Sequence, residues 1–180
     1  PSALASGQDD SGPVLSDAEL AQILAPIALY PDSVLSHVLI AATNPLEVVQ
    51  AGRWLSKHPD PENAAQALAD QDWDASVKAL TPFPELIRRL NEDLDWMRDL
   101  GDAFLADEQR LLAGVQSLRA QAEQADSFDN AEHIQLSREQ GNIIIEAADS
   151  KVVYIPYYDS HRVSHVANFV IGQRVLKERQ

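Results

Sequence analysis

Residues 24–32, which read LAPIALYPD, constrain the fold of this chain more than any other stretch. Just upstream, Ser16 and Glu19 have the spacing of a capping box, and an apolar series with helical periodicity follows them. Pro26 lies inside that series. Because proline lacks a backbone N–H and its ring crowds the preceding turn, we expect the first helix to kink or to end in a looser turn there.

The same stretch predicts a sharp corner between two helices and the contacts that fix it. Pro31 disfavours helical backbone at Tyr30, and Asp32 then lies where the N-cap of a second helix belongs. A buried tyrosine ring needs a hydrogen-bond partner for its hydroxyl, so we expect Tyr30 to join the corner to another element. We interpret Pro26, Tyr30, Pro31 and Asp32 as a structural corner, with a ligand site as the alternative interpretation.

Two motifs resemble a known family. The first motif is similar to one found in exported Gram-negative envelope proteins of unknown function, and it consists of residues 24–32, NPLEVV at 44–49 and RWL at 53–55. The second motif of that family resembles IIIE at 143–146 together with VVYIPYYD at 152–159. The resemblance implies an export signal and a periplasmic or envelope location. It implies no catalytic residues. Many members carry a long low-complexity tail that this sequence does not contain, so no property of that tail transfers.

Composition excludes several classes of function. The formal net charge is −14, from 28 acidic and 14 basic side chains, so the chain should be repelled by nucleic acid and by anionic lipid. There is no cysteine, which excludes disulfides, thiolate catalysis and cysteine-ligated zinc within this sequence. No run approaches the roughly 18 consecutive apolar residues of a transmembrane helix.

The domain organisation follows from changes in pattern. Residues 1–15 are small and polar, which predicts a flexible leader ahead of a single mainly helical domain at 16–180. Because the sequence begins at Pro1 without methionine, we expect a processed form whose targeting segment has been removed, and an upstream lipid anchor fits this expectation. Within the domain, 16–83 should form a cluster of short helices.

Residues 84–126 carry a seven-residue apolar repeat, which predicts one long helix or a helical hairpin bent near Gly101. We call the apolar face formed by this repeat the seam. We favour a seam that is mostly covered by other parts of the chain, because a long exposed apolar face would lower solubility. In the alternative, a straight helix presents the seam to a partner, and Leu111, Val115 and Leu118 are its candidate binding residues.

The pattern changes again after residue 126. Residues 142–146 and 151–158 are rich in β-branched and aromatic side chains, which predicts a β-hairpin over 142–158. A final amphipathic helix is expected over 160–178. Tyr154, Tyr157 and Tyr158 suit either core packing or a partner-binding surface.

No phosphate-binding loop, serine-nucleophile elbow or zinc-binding helix motif occurs in the sequence. His161 and His165 lie four residues apart and with Asp159 are weak candidate metal ligands, against the alternative that they are simply solvated. We therefore predict no catalytic residue and no cofactor. The expected function is a non-enzymatic interaction or assembly module of the envelope that contacts other envelope proteins or itself. The alternative is an envelope enzyme or metal-binding protein whose acidic and histidine groups the fold brings together.

Overall fold

A computed structural model of the chain describes residues 14–60, 63–128 and 134–148 in full, and the backbone alone at 152–154 and 175–177. In these residues the fold is mainly helical with a late antiparallel hairpin, which confirms the predicted class. The helices are α1 (Asp17–Leu24), α2 (Asp32–Ala42), α3 (Pro45–Lys57), α4 (Ala65–Ala69), α5 (Ala75–Leu80), α6 (Pro84–Glu92), α7 (Leu94–Ala106) and α8 (Glu108–Gln124). The strands are β1 (Ile134–Glu139), β2 (Asn142–Ala147), β3 (Val152–Tyr154) and β4 (Val175–Lys177). None of the described helices is both long enough and apolar enough to cross a bilayer.

The corner forms between α1 and α2. The Ser16 capping box is present, α1 ends before Pro26, and residues 25–30 form tight turns instead of a continued helix. Tyr30 is fully buried, and its hydroxyl accepts a hydrogen bond from Nη1 of Arg89 at 3.1 Å, as expected of a buried phenol at a corner. The predicted N-cap role of Asp32 is wrong. Pro31 occupies the N-cap position, and no side chain caps the helix there. The Asp32 carboxylate is bonded to Arg119, which is distant in sequence.

The region 84–126 is divided into three helices. Asp93 and Asp107 interrupt it, and Oδ1 of each accepts a hydrogen bond at 2.9 Å from a backbone N–H, that of Trp96 and of Arg110 respectively. The predicted single helix, and its bend near Gly101, are therefore wrong. Aspartate caps end and restart the helix at two other positions, whereas Gly101 lies inside α7 and packs directly on α2.

The core lies among the helices and is closed by β2. The seam is covered within the chain, as favoured: Leu111, Val115 and Leu118 are buried in this core. A buried set on the other helices and in the turn between α1 and α2 surrounds them, namely Leu24, Ile27, Val34, Leu35, Val38, Leu39, Val48, Val77, Leu80, Leu86, Ile87, Leu90, Met97 and Leu100.

The hairpin is displaced from its predicted position. The strand expected at 142–146 is present as β2, but its partner is β1, with Ile134 opposite Ala147 and Glu139 opposite Asn142. Gln140 and Gly141 form the turn with φ of 50° and 85°, the left-handed pair of a tight hairpin turn. β3 pairs with β4, so residues 175–177 are a strand where a helix was predicted. The rest of that predicted helix, at 160–174 and 178, lies outside the described residues.

We expect Gly101→Ala to destabilise the fold. A Cβ at Gly101 would lie 2.3 Å from the carbonyl oxygen of Ala42, so the backbones of α7 and α2 would have to separate. Such overpacking costs about 1–3 kcal/mol in the free energy of unfolding. Gly114→Ala is the matched control, because its Cβ would meet the side-chain end of Leu24 at 3.0 Å. Urea denaturation checks the prediction, and equal effects of the two substitutions would contradict it.

Candidate functional site

Arg119 of α8 is the most buried charged side chain in the described residues, with 1% of its surface exposed. Its Nε donates to the carbonyl of Ala28 at 2.8 Å, and its Nη2 donates to the carbonyl of Tyr30 at 3.0 Å. Its Nη1 donates to the carbonyl of Ile143 at 2.8 Å and to Oδ1 of Asp32 at 2.5 Å. One guanidinium therefore joins the corner, the first turn of α2, and β2.

The corner creates the need for this arginine. Because α1 stops near Pro26 and Pro31 has no backbone N–H, the carbonyls of Ala28 and Tyr30 lie in a turn that no regular helix continues. Buried carbonyls without donors cost free energy, and guanidinium N–H groups are strong donors that point in several directions. The Asp32 carboxylate then supplies the opposite charge that a buried cation requires.

Gln116, one turn before Arg119 on α8, holds β2 from the same side. Its side-chain amide donates to the carbonyl of Ile143 at 3.1 Å and accepts from the backbone N–H of Ile143 at 2.7 Å. A carboxamide can donate an N–H and accept at its oxygen at the same time, so Gln116 pairs with both backbone groups of Ile143, as a residue of a neighbouring strand would. It fixes the distance between α8 and β2 at this point.

These contacts leave a cavity of about 590 Å³ between α2, α8 and β2, which we name the α2–α8 groove. The residues that α2 contributes recur at one helical face, and so do most of those from α8. Its lining consists of Asp32, Leu35, Ser36, Leu39, Gln109, Leu112, Ala113, Val115, Gln116, Arg119, Asn142 and Ile144. Leu112 stands at the opening with 41% of its surface exposed.

Half of the lining residues are apolar, and most of the polar ones are uncharged. Among the described residues that line it, only Asp32 and Arg119 are ionisable, and they are bonded to each other. The four hydrogen bonds of Arg119 all run to protein atoms, whereas the Asp32 side chain remains 38% exposed. The lining therefore suits a ligand that brings apolar side chains and a hydrogen-bond donor or a positive charge.

The structure groups the residues of the predicted corner and separates the other candidates. The Tyr30 carbonyl and the Asp32 carboxylate both accept hydrogen bonds from the Arg119 guanidinium, and Pro26 and Pro31 lie in the same stretch between α1 and α2. Leu111 and Leu118 lie in the core, and Val115 reaches the base of the groove. Tyr157, Tyr158, Asp159, His161 and His165 lie outside the described residues, as does the side chain of Tyr154. In the fully described segments no three His, Asp or Glu side chains are close enough to bind a metal ion.

Sequence reasoning missed Arg119, Gln116 and Leu112. The seven-residue repeat places Leu111, Val115 and Leu118 at the seam, and Arg119 directly follows a seam position. An arginine there is usually interpreted as solvated, because its long stem can carry the charge to the surface. The only available signal was the need of the corner for donors.

We expect Arg119→Met to lower the free energy of unfolding by about 3–5 kcal/mol, because it leaves the carbonyls of Ala28 and Tyr30 and the Asp32 carboxylate without their donor. Arg119→Lys should fall between this variant and the wild type, since one ammonium cannot reach all four acceptors. Arg88→Met is the matched control: Arg88 is exposed and pairs with Glu85 and Glu92 on its own helix, a kind of pair worth about 0–1 kcal/mol. Equal losses in urea denaturation for Arg119→Met and Arg88→Met would contradict the assignment.

Burial raises the pKa of the Tyr30 phenol above its ordinary value, while the charge of Arg89 acts in the opposite direction. The unfolded chain loses this proton near pH 10 and the folded chain holds it to higher pH. The stability that Tyr30 contributes is therefore fully present below about pH 10 and is lost as the pH rises through the folded-state pKa. We expect urea denaturation between pH 9 and pH 11.5 to show a smaller decline for Tyr30→Phe than for the wild type, and identical declines would contradict this.

Comparisons with known proteins give a family for this chain but name no activity. The family model described as "Protein of unknown function (DUF3300)" matches residues 16–166. The uncharacterized protein YacH of Escherichia coli K12 is 46% identical over 118 residues, which are 64% of this chain and 19% of the length of that protein. No solved structure matches the chain. Because the family model spans most of the sequence, the chain belongs to the DUF3300 family, whose function is unknown.

Proposed function

We propose that this chain is a non-enzymatic protein-interaction module of the bacterial cell envelope, and that it binds its partner in the α2–α8 groove. The observation that carries the proposal is the groove itself. Leu112 and half-buried Ile144 present apolar side chains at an opening that reaches the solvent, and the buried Leu35, Leu39 and Val115 line its base. Apolar surface that remains in contact with water is a driving force for association.

The chemistry of the lining favours binding over catalysis. A general acid or base needs a titratable group that can reach a substrate. In the groove the Arg119 guanidinium is directed to backbone carbonyls, and Asp32 is bonded to that guanidinium. The remaining lining residues are apolar or carry uncharged amide and hydroxyl groups, which can orient a partner but do not exchange protons readily at neutral pH.

The hairpin adds a second surface beside the groove. Among the described strands, β1 pairs with β2 alone, and its residues 135–139 are exposed, including the side chain of Leu136. A strand at the edge of a sheet can pair with an extended segment of another chain. We assign it a supporting role, because a two-stranded sheet offers a short edge.

The envelope location is part of the proposal and rests on the sequence. The motif at residues 24–32 and the run at 152–159 resemble exported envelope proteins. The net charge of −14 fits a domain that keeps away from anionic lipid while it binds a protein partner.

The proposal predicts a site-specific crosslink in intact cells. A photoreactive benzoylphenylalanine at Leu112, in the groove, should yield a protein adduct of discrete mass in the periplasmic or membrane fraction after irradiation. The same residue at Leu105 of α7, which is 70% exposed and does not line the groove, is the matched control. Mass spectrometry distinguishes an adduct of two copies from one with another protein. If position 112 gives no adduct, or if both positions give the same adducts, the proposed function is wrong.

A further inference from the structure

We infer that the occupant of the α2–α8 groove is a cationic amphipathic helix of a partner protein. The inference rests on the proposed function and adds the chemistry of the partner. It depends on three features of the described residues. These are the shape of the walls, the exposed carboxylates on the surrounding elements, and the hydrogen bonds that direct the one cation of the lining, Arg119, toward the protein interior.

The shape of the groove fits a helix. On α2 the lining residues are 32, 35, 36 and 39, and on α8 they include 109, 112, 113 and 116, so each wall is one face of a helix over about two turns. At 1.5 Å per residue, residues 32–39 extend about 10 Å. A third helix laid along two such walls buries apolar side chains at i, i+3 or i+4, and i+7, which is a recurrent mode of protein recognition. Leu112 and half-buried Ile144 are the accessible apolar side chains that would receive them, and the buried Leu35 and Leu39 line the base of the groove.

Three carboxylates that are at least partly exposed lie on the elements that line the groove. The Asp32 side chain is 38% exposed, and its recorded bond to Arg119 uses Oδ1. Glu108 precedes Leu112 by four residues and therefore lies on the same face of α8. Glu146 follows Ile144 by two residues and shares a face of β2 with it. Both glutamates are exposed, so lysine or arginine side chains that flank an apolar helix face would meet carboxylates here.

The single cation in the lining does not offset these carboxylates at the surface. Arg119 is 1% exposed, and its hydrogen bonds run to Ala28, Tyr30, Asp32 and Ile143. The charge of the whole chain has the same sign as that of the opening, at −14. A second copy of this chain would place acidic surface against acidic surface, which disfavours it as the occupant.

The test uses a fluorescent peptide of 18 leucine and lysine residues whose leucines recur at i, i+3, i+4 and i+7. We expect it to bind the chain at physiological salt in fluorescence anisotropy. Two control peptides are a scrambled sequence of the same composition and a version with glutamate in place of lysine, and both should bind at least about tenfold more weakly, because they lack the apolar face or the positive charge.

The protein variants separate apolar contact from charge. Leu112→Asp adds a negative charge at the groove, so it would strengthen binding if charge alone attracted the peptide. We expect it instead to weaken binding by about tenfold or more, because an apolar anchor is lost. Leu105→Asp adds the same charge elsewhere and should change the affinity by less than about twofold. The double variant Glu108→Gln, Glu146→Gln should weaken binding and reduce its dependence on salt.

Three results would overturn the inference: failure of the amphipathic peptide to bind, equal binding of the scrambled peptide, or equal effects of Leu112→Asp and Leu105→Asp. A fourth result would also overturn the inference. If monomeric lysophosphatidylcholine displaced the peptide and the double variant Glu108→Gln, Glu146→Gln did not change the affinity, the occupant would be a lipid chain. A groove-dependent crosslink at Leu112 together with any of these results would leave the proposed function standing. Loss of that crosslink would remove the proposed function itself.

Discussion

The rest of this structure depends on a buried guanidinium. Arg119 satisfies carbonyls that belong to two distant parts of the chain, the proline-rich corner and β2, and Asp32 supplies its counter-charge. A buried ion pair adds little net stability, because the cost of removing two charges from water offsets much of their attraction. The larger effect of this ion pair is that it favours one arrangement of the corner, α8 and β2 over alternative arrangements. An arrangement that misplaced the corner or the strand would leave a buried charge or carbonyl without its partner, at a cost of several kcal/mol.

The groove is a geometric consequence of the same contacts. The bond between Asp32 and Arg119 fixes the start of α2 relative to α8. Gln116 fixes the spacing between α8 and β2 through both backbone groups of Ile143. Three elements held apart at these positions leave a space that their own side chains do not fill. Because its walls are helices and a strand rather than loops, the space is formed before a partner arrives, and little ordering entropy opposes binding.

Sequence alone predicted the features that local rules determine. The Ser16 capping box, the end of α1 before Pro26, the buried Tyr30 and the covered seam all follow from residue type and spacing within a few turns. The breaks at Asp93 and Asp107 were missed because, among 28 acidic residues, aspartates that cap helices do not differ in sequence from those that face water. β1 was missed because it is mostly polar and exposed, and its pairing depends on the Gln140–Gly141 turn. Arg119 was missed because its partners lie 24 to 91 residues away along the chain.

The corner and the charge of the groove are linked. If the carbonyls of Ala28 and Tyr30 were satisfied within a regular helix, the Arg119 guanidinium would be available to the groove, and its charge would offset the carboxylates at the opening. Because the prolines interrupt the helix, the guanidinium is directed inward, and the exposed carboxylates of Asp32, Glu108 and Glu146 keep their charge on the solvent side. In the proposed complex, the carboxylates at the opening attract positive charge over the range set by salt screening, and Leu112 supplies apolar contact. A backbone irregularity near the N-terminus thus determines the sign of the charge that the groove presents.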